Sequence, residues 1–195
     1  MGYDENLYQL TQLVLNICWL LLAVLFGINA IKVQRARVRG PASTPQRRAP
    51  HAQIGTAIQG IGLTIAWFTA PGPFLAPRLI ASLILSPASV LLSFLALGHL
   101  GDQWRIQAVV TRDHLLITTG PYATVRHPVY LAILLALLAT VLARGSWPLS
   151  LVAVALYILG TEIRVRAEDG LLAARFGAEF ARYKARVPAY IPFIR

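Results

Sequence analysis

Long apolar runs separated by short polar segments organise the chain. The first extends from about Leu7 to Ile31 and is followed by the basic stretch KVQRARVRGPASTPQRRAPH. A second covers about Ile54 to Ala70 and stops at Pro71-Gly72-Pro73, where two prolines and a glycine favour a tight turn over continued helix. The third runs from about Leu75 to Leu100. After a more polar interval, Pro128 opens a fourth run to about Ala143, and the segment RGSWP turns the chain into a fifth, from about Leu149 to Ile163. Roughly 20 apolar residues, rising about 1.5 Å each in a helix, cross the hydrocarbon core of a bilayer. The pattern therefore predicts an all-α integral membrane bundle of about five transmembrane helices. It forms one membrane domain over residues 1–195, with three N-terminal spans over 7–100, a basic loop at 32–53, and a second half over 101–195.

Two segments outside these runs carry further pattern. Gly101 to His127 is a long loop for so small a chain, and its Val109, Val110 and Leu115 to Ile117 suggest short irregular or extended pieces. Ordered loops of this length tend to carry function. In the basic tail from Arg164 to Arg195, Leu172, Phe176, Phe180, Tyr183 and Val187 recur at three- or four-residue spacing. That spacing predicts an amphipathic helix whose apolar face meets the membrane or the bundle, ended by Pro188 and Pro192. The opening MGYDEN lacks the basic start of a signal peptide and the run behind it is too long for one, so the first helix is expected to be retained.

Composition sharpens the membrane reading. The 195 residues are 56% hydrophobic and only 13% charged, whereas a soluble domain carries about a quarter charged residues. The formal net charge of +10 would suggest nucleic acid if basic and aromatic residues shared a polar face. Instead the basic residues fall between apolar runs without a binding motif, which excludes nucleic acid as a partner and suits anionic membrane lipids. With the N-terminus outside and the C-terminus cytoplasmic, 16 of the 18 lysines and arginines lie inside and only Arg78 and Arg144 outside, as the positive-inside bias requires. The expected location is the plasma (inner) membrane or an endomembrane. The lone Cys18 permits no intrachain disulfide and no cysteine-based metal site, and His51, His99 and His114 are dispersed, so no metal is predicted.

The candidate chemistry straddles the fourth and fifth runs: GPYATVRHPVY precedes one and EIRVRAED ends the other. A hairpin of two similar spans returns its ends to one place. Gly120, Tyr122, Arg126, His127 and Tyr130 are thus expected near Arg164, Glu168 and Asp169 at the cytoplasmic surface, a mixture of acceptors, cations and aromatic faces suited to a polar, charged cofactor. Each residue also admits a structural role. His127 would serve as a helix cap, Tyr122 and Tyr130 as interfacial belt residues, Arg164 and Arg166 as anchors, and Glu168 as half of an ion pair. No GxGxxG follows a strand, so an ordinary dinucleotide fingerprint is missing.

The segments LGDQW, GPYATVRHPVY, RVRAEDGLLAARFGAEFARY and VPAYIP resemble the isoprenylcysteine carboxyl methyltransferase family over roughly residues 98 to 192. Glu168 and Asp169 stand where that family commonly has two glutamates. The resemblance implies a non-Rossmann pocket for S-adenosyl-L-methionine, enclosed by the long loop, the last hairpin and the C-terminal helix, making 101–195 a cofactor-binding catalytic half. It implies cofactor-binding positions at Gly120, Tyr122, Val125, Arg126, His127, Tyr130 and Glu168, and a catalytic Arg164 that orients the acceptor. That acceptor is lipid-associated and enters from the bilayer, with the carboxylate of a prenylated cysteine as the leading analogue and an amine or thiol as alternatives. Two other classes compete. One is a nicotinamide-dependent membrane reductase related to sterol reductases, which share an RHxxY pattern; the other is a noncatalytic membrane scaffold whose polar cluster packs loops. The first two spans carry no recognised motif.

Overall fold

A computed structural model describes residues 2–39, 47–48, 51–69, 75–101, 109–110 and 115–193. Among the described residues six α-helices follow one another: α1 (Gly2–Arg39), α2 (His51–Phe68), α3 (Ala76–Leu100), α4 (Pro128–Arg144), α5 (Trp147–Phe176) and α6 (Ala178–Arg186). Strands β1 (Arg47–Arg48) and β2 (Val109–Val110) form a two-residue antiparallel ladder, and a 3-10 turn covers Gly120–Ala123. The 71–73 turn, residues 102–104 of the LGDQW segment and His114 lie outside the described residues.

The protein is an integral membrane helical bundle. Among the described residues, three helices are long and apolar enough to cross a membrane: residues Glu5–Arg35 of α1, Ala76–Leu100 and Trp147–Phe176. Helix α4 is a shorter apolar helix, and α2, at 18 residues, interrupts its apolar run with Gln53, Thr56, Gln59 and Thr64. Leu13, Leu20, Ile84, Leu91, Leu151 and Leu159 stand exposed along α1, α3 and α5, an arrangement that hydrocarbon solvates and water would not.

The polarity of α2 has a packing reason. Helix α2 packs chiefly on α5, α3 chiefly on α4, and α1 chiefly on α3. A Cβ at Gly55 would lie 2.6 Å from the Gly160 carbonyl oxygen, and one at Gly160 would lie 2.5 Å from that of Gly55. Glycine on both sides is what lets the two backbones approach, the small-residue packing that replaces the hydrophobic effect between helices in lipid. Buried Gln59 donates to Thr161 Oγ1 at 2.8 Å across the same seam. Residues that look polar in sequence are thus spent on a helix contact.

The predicted fifth span ends too early. Helix α5 continues without a break past Ile163 to Phe176, because the charges that suggested an end satisfy one another along the helix. Arg166 pairs with Glu162 at 2.9 Å and Arg164 with Glu168 at 3.2 Å, both four residues apart on one face. The break falls instead at Gly177, whose φ of +52° a residue with a Cβ adopts only under strain. It divides the predicted tail helix between the end of α5 and α6, leaving Phe180 and Tyr183 buried on the α6 face.

Candidate functional site

Helix α4 begins at Pro128, whose missing N–H belongs to the first turn where no partner exists anyway. His127 occupies the N-cap position, yet its side chain makes no cap hydrogen bond. Ahead of it the chain docks on the C-terminal segment: Arg126 N–H donates to Pro188 O at 2.9 Å and His127 N–H to Ala189 O at 2.8 Å. The 3-10 turn is fastened from below, Tyr183 OH donating to Tyr122 O at 2.6 Å. Gly120 has a φ of +60° and lies against the His99 imidazole, which leaves no room for a Cβ.

These supports present a dense ionic network. Asp169 pairs with Arg126 Nη2 at 2.9 Å, with His127 Nε2 at 3.0 Å and with Lys184 Nζ at 3.0 Å. Glu168 faces His127 Nδ1 at 3.4 Å and Arg164 Nη2 at 3.2 Å, and accepts a hydrogen bond from Tyr130 OH. The Arg164 guanidinium lies 5.2 Å over the Tyr130 ring, and its Nη1 donates to Thr56 Oγ1 at 2.7 Å. His127 stacks on Tyr130 with centroids 5.7 Å apart, and Tyr157 OH donates to Tyr130 O at 3.0 Å.

Burial sets the electrostatics. The Arg126 and Asp169 side chains are only 4% and 6% exposed, so removing Asp169 strands the buried Arg126 guanidinium without its counter-charge at a cost of about 3–5 kcal/mol, whereas Asp169 without Arg126 keeps His127 and Lys184. Burial works against a charged His127, but its hydrogen bonds to Asp169 and Glu168 win and raise its pKa above the ordinary 6.5. An imidazolium donates from both nitrogens, which matches a carboxylate on each. Burial raises the Tyr122 phenol and pushes Tyr183 up to about 12, so both hydroxyls stay neutral donors at physiological pH. Three fixed cations, Arg126, Arg164 and Lys184, face two carboxylates, a balance that favours an anionic ligand group.

Beside the network opens a cavity of about 830 Å³, within the roughly 300–1,000 Å³ of small-molecule sites. Its polar wall includes Arg126, Glu162, Asp169 and Lys184, and its apolar wall Ile158, Leu159 and Ile191. Adjacent helical residues diverge by about 100° around the axis. Glu168 accordingly turns toward Arg164, Tyr130 and the bundle interior, while Asp169 turns toward the cavity.

The structure brings together five of the side chains singled out as cofactor-binding or catalytic in sequence. Arg126, His127, Tyr130, Arg164 and Glu168 are joined through side chains, and Tyr122 through its carbonyl and the Tyr183 hydroxyl. Val125 is buried beside them in the chain, and Gly120 forms the turn that leads in. Of the positions expected to bind cofactor or act in catalysis, only Arg126 also lines the cavity, together with Asp169 and Arg166. Sequence reasoning did not assign Lys184, Thr56, Tyr157 or Tyr183. Tyr183 was visible as an apolar-face position, but nothing in the spacing of the others signals a partner more than a hundred residues away, as Thr56 is from Arg164.

Comparison with known proteins points the same way. Residues 80–174 match the family described as "Isoprenylcysteine carboxyl methyltransferase (ICMT) family". The chain is 34% identical over 83 residues to protein-S-isoprenylcysteine O-methyltransferase of Schizosaccharomyces pombe, covering 43% of this chain and 35% of that protein. It is 39% identical over 84 residues to the Saccharomyces cerevisiae protein of the same name, covering 42% and 34% respectively. It is also 34% identical over 98 residues to the cobalt-zinc-cadmium resistance protein CzcN of Cupriavidus metallidurans, covering 50% and 45%. The matches thus span less than half the length of these relatives.

Proposed function

Because residues 80–174 match the isoprenylcysteine carboxyl methyltransferase family, we propose that the chain transfers a methyl group from S-adenosyl-L-methionine to a lipid-associated acceptor. The leading acceptor is the carboxylate of a prenylated cysteine. The observation that carries this reading is the joining of Arg126 and His127 to Glu168 and Asp169 at the edge of a ligand-sized cavity.

The residues fit the cofactor. Its amino-acid end needs cations for a carboxylate and acceptors for an ammonium, and its ribose needs acceptors for hydroxyls. Arg126 and Lys184 supply the first, and Arg126 Nε is buried without a hydrogen-bond partner, a donor left to spare. On the cavity wall Asp169 and Glu162 supply the acceptors, the part-exposed Glu168 lies next to Asp169 off that wall, and the apolar wall receives the remainder. S-adenosyl-L-methionine supplies an electrophilic methyl group on a positively charged sulfur.

The chain's own residues then have distinct tasks. His127 and Tyr130 hold Glu168 in place, and Gly120, Tyr122 and Val125 shape the backbone that carries them. Arg164 orients the acceptor carboxylate, which needs no general base because it is already an anion. The apolar surround keeps water away from a reaction in which charge is neutralised, and fixed orientation lowers the entropic barrier. The cofactor reaches the site from the cytoplasm and the lipid tail from the bilayer, with the N-terminus outside and residues 101–195 forming the catalytic half.

The test is transfer of radiolabelled methyl from S-adenosyl-L-methionine to a prenylcysteine analogue by the purified protein in detergent. Base-labile label in the lipid product is expected. Label transfer to none of the carboxylate, amine or thiol acceptors would overturn the reading.

A further inference from the structure

Helix α2 lies outside the family-matched residues 80–174 and carries no motif, yet it supplies a partner of Arg164. Thr56 Oγ1 donates to Ala52 O at 3.0 Å, so its proton is committed to the backbone of its own helix. Its lone pairs are thereby left for Arg164 Nη1, which donates to them at 2.7 Å. The residue before it makes the contact possible, since a Cβ at Gly55 would lie 2.7 Å from Arg164 Cγ. With Nη2 on Glu168 and the guanidinium plane over Tyr130, Thr56 holds Nη1 of Arg164 from the α2 side.

We infer that Thr56 is a positioning residue for Arg164, fixing the guanidinium in the orientation that meets the acceptor, so that an N-terminal helix sets the turnover of the C-terminal site. The inference rests on the proposed role of Arg164. Packing alone does not require the hydroxyl, because the Gly55–Gly160 contact and the Gln59–Thr161 hydrogen bond already join α2 to α5. A buried guanidinium is different. A donor that loses its acceptor there either stays unsatisfied or turns to another partner.

The experiment compares Thr56→Val, Thr56→Ser and Arg164→Ala, alone and combined, by turnover on a prenylcysteine analogue and by calorimetric titration with S-adenosyl-L-methionine. Thr56→Val keeps the shape and removes the acceptor, and its kcat is expected to fall about ten- to a hundred-fold with cofactor affinity held within about two-fold. Thr56→Ser is expected to restore kcat. In the Arg164→Ala background Thr56→Val should change turnover by no more than about two-fold, since coupled residues are not additive. Should the valine variant not yield monodisperse protein, Thr56→Ala carries the same comparison. Turnover unchanged by loss of the hydroxyl while Arg164→Ala abolishes it, or equal losses of kcat and cofactor affinity, would overturn the inference. Full activity of Arg164→Ala would instead overturn the reading of Arg164 on which it stands.

Discussion

Two pairs of arginines mark opposite ends of the α4–α5 hairpin, and they are held in different ways. At the end where the helices join, Arg78 donates to Val141 O at 3.1 Å and Gly145 O at 2.8 Å and lies 5.2 Å from the Trp147 ring. Arg144 lies 4.8 Å over Trp67, which meets Trp19 edge-on at 6.0 Å. At the far end Arg126 and Arg164 are bound by carboxylates, with His127 between them. Carbonyls at a helix C-terminus and indole faces stabilise a cation without any counter-charge, and tryptophan beside arginine is the ordinary furniture of a membrane interface. Buried carboxylates, a histidine and guanidinium groups are costlier to assemble, and replacing such a network with apolar residues is often neutral or stabilising. Its presence is better explained by what it binds than by the stability it gives.

The sharpest way to break this contrast is to remove one arginine from each end. Arg164→Ala is expected to lower turnover by about 10² or more while cofactor affinity stays within a few fold, because a misplaced reacting group has effects of that size. Arg78→Ala is expected to leave turnover unchanged and to destabilise the protein by about 1–2 kcal/mol, read as a lower unfolding midpoint in detergent, by uncapping α4. Equal effects on activity from the two substitutions would erase the distinction between the ends.

A smaller effect separates the ends by pH. The raised pKa of His127 means that its ion pairs contribute stability fully below about pH 6.5 and lose it as pH rises through the folded-state value. The unfolding midpoint of the wild type should therefore decline across that window, and His127→Gln should flatten the decline. An identical pH profile in both would assign the titration elsewhere.

Much of this contrast was legible in the sequence, through particular residues. The RHP segment announced both a helix start at Pro128 and a polar pair just before it, and the return of α5 brought Glu168 and Asp169 to meet them. The extent of α5 was not legible, because a run of charges reads as a helix leaving the membrane until the Arg164–Glu168 and Arg166–Glu162 pairs are seen to close on themselves. Nor was the division of labour between the two acids. Neighbours in sequence, they face different surroundings, and only the placement of α2 and α6 reveals which is which. Thr56 and Gln59 resemble ordinary polar interruptions of an apolar helix, and their partners on α5 are set by glycine packing that no local spacing encodes.

Calorimetric titration of S-adenosyl-L-methionine into the purified protein, its Glu168→Ala variant and its His127→Ala variant tests the central claim most directly. Saturable binding to the wild type is expected, weakened about ten-fold or more in each variant through loss of charge-assisted hydrogen bonds, with all three proteins monodisperse. Wild-type affinity in both variants, or binding of NADPH with none of S-adenosyl-L-methionine, would contradict it.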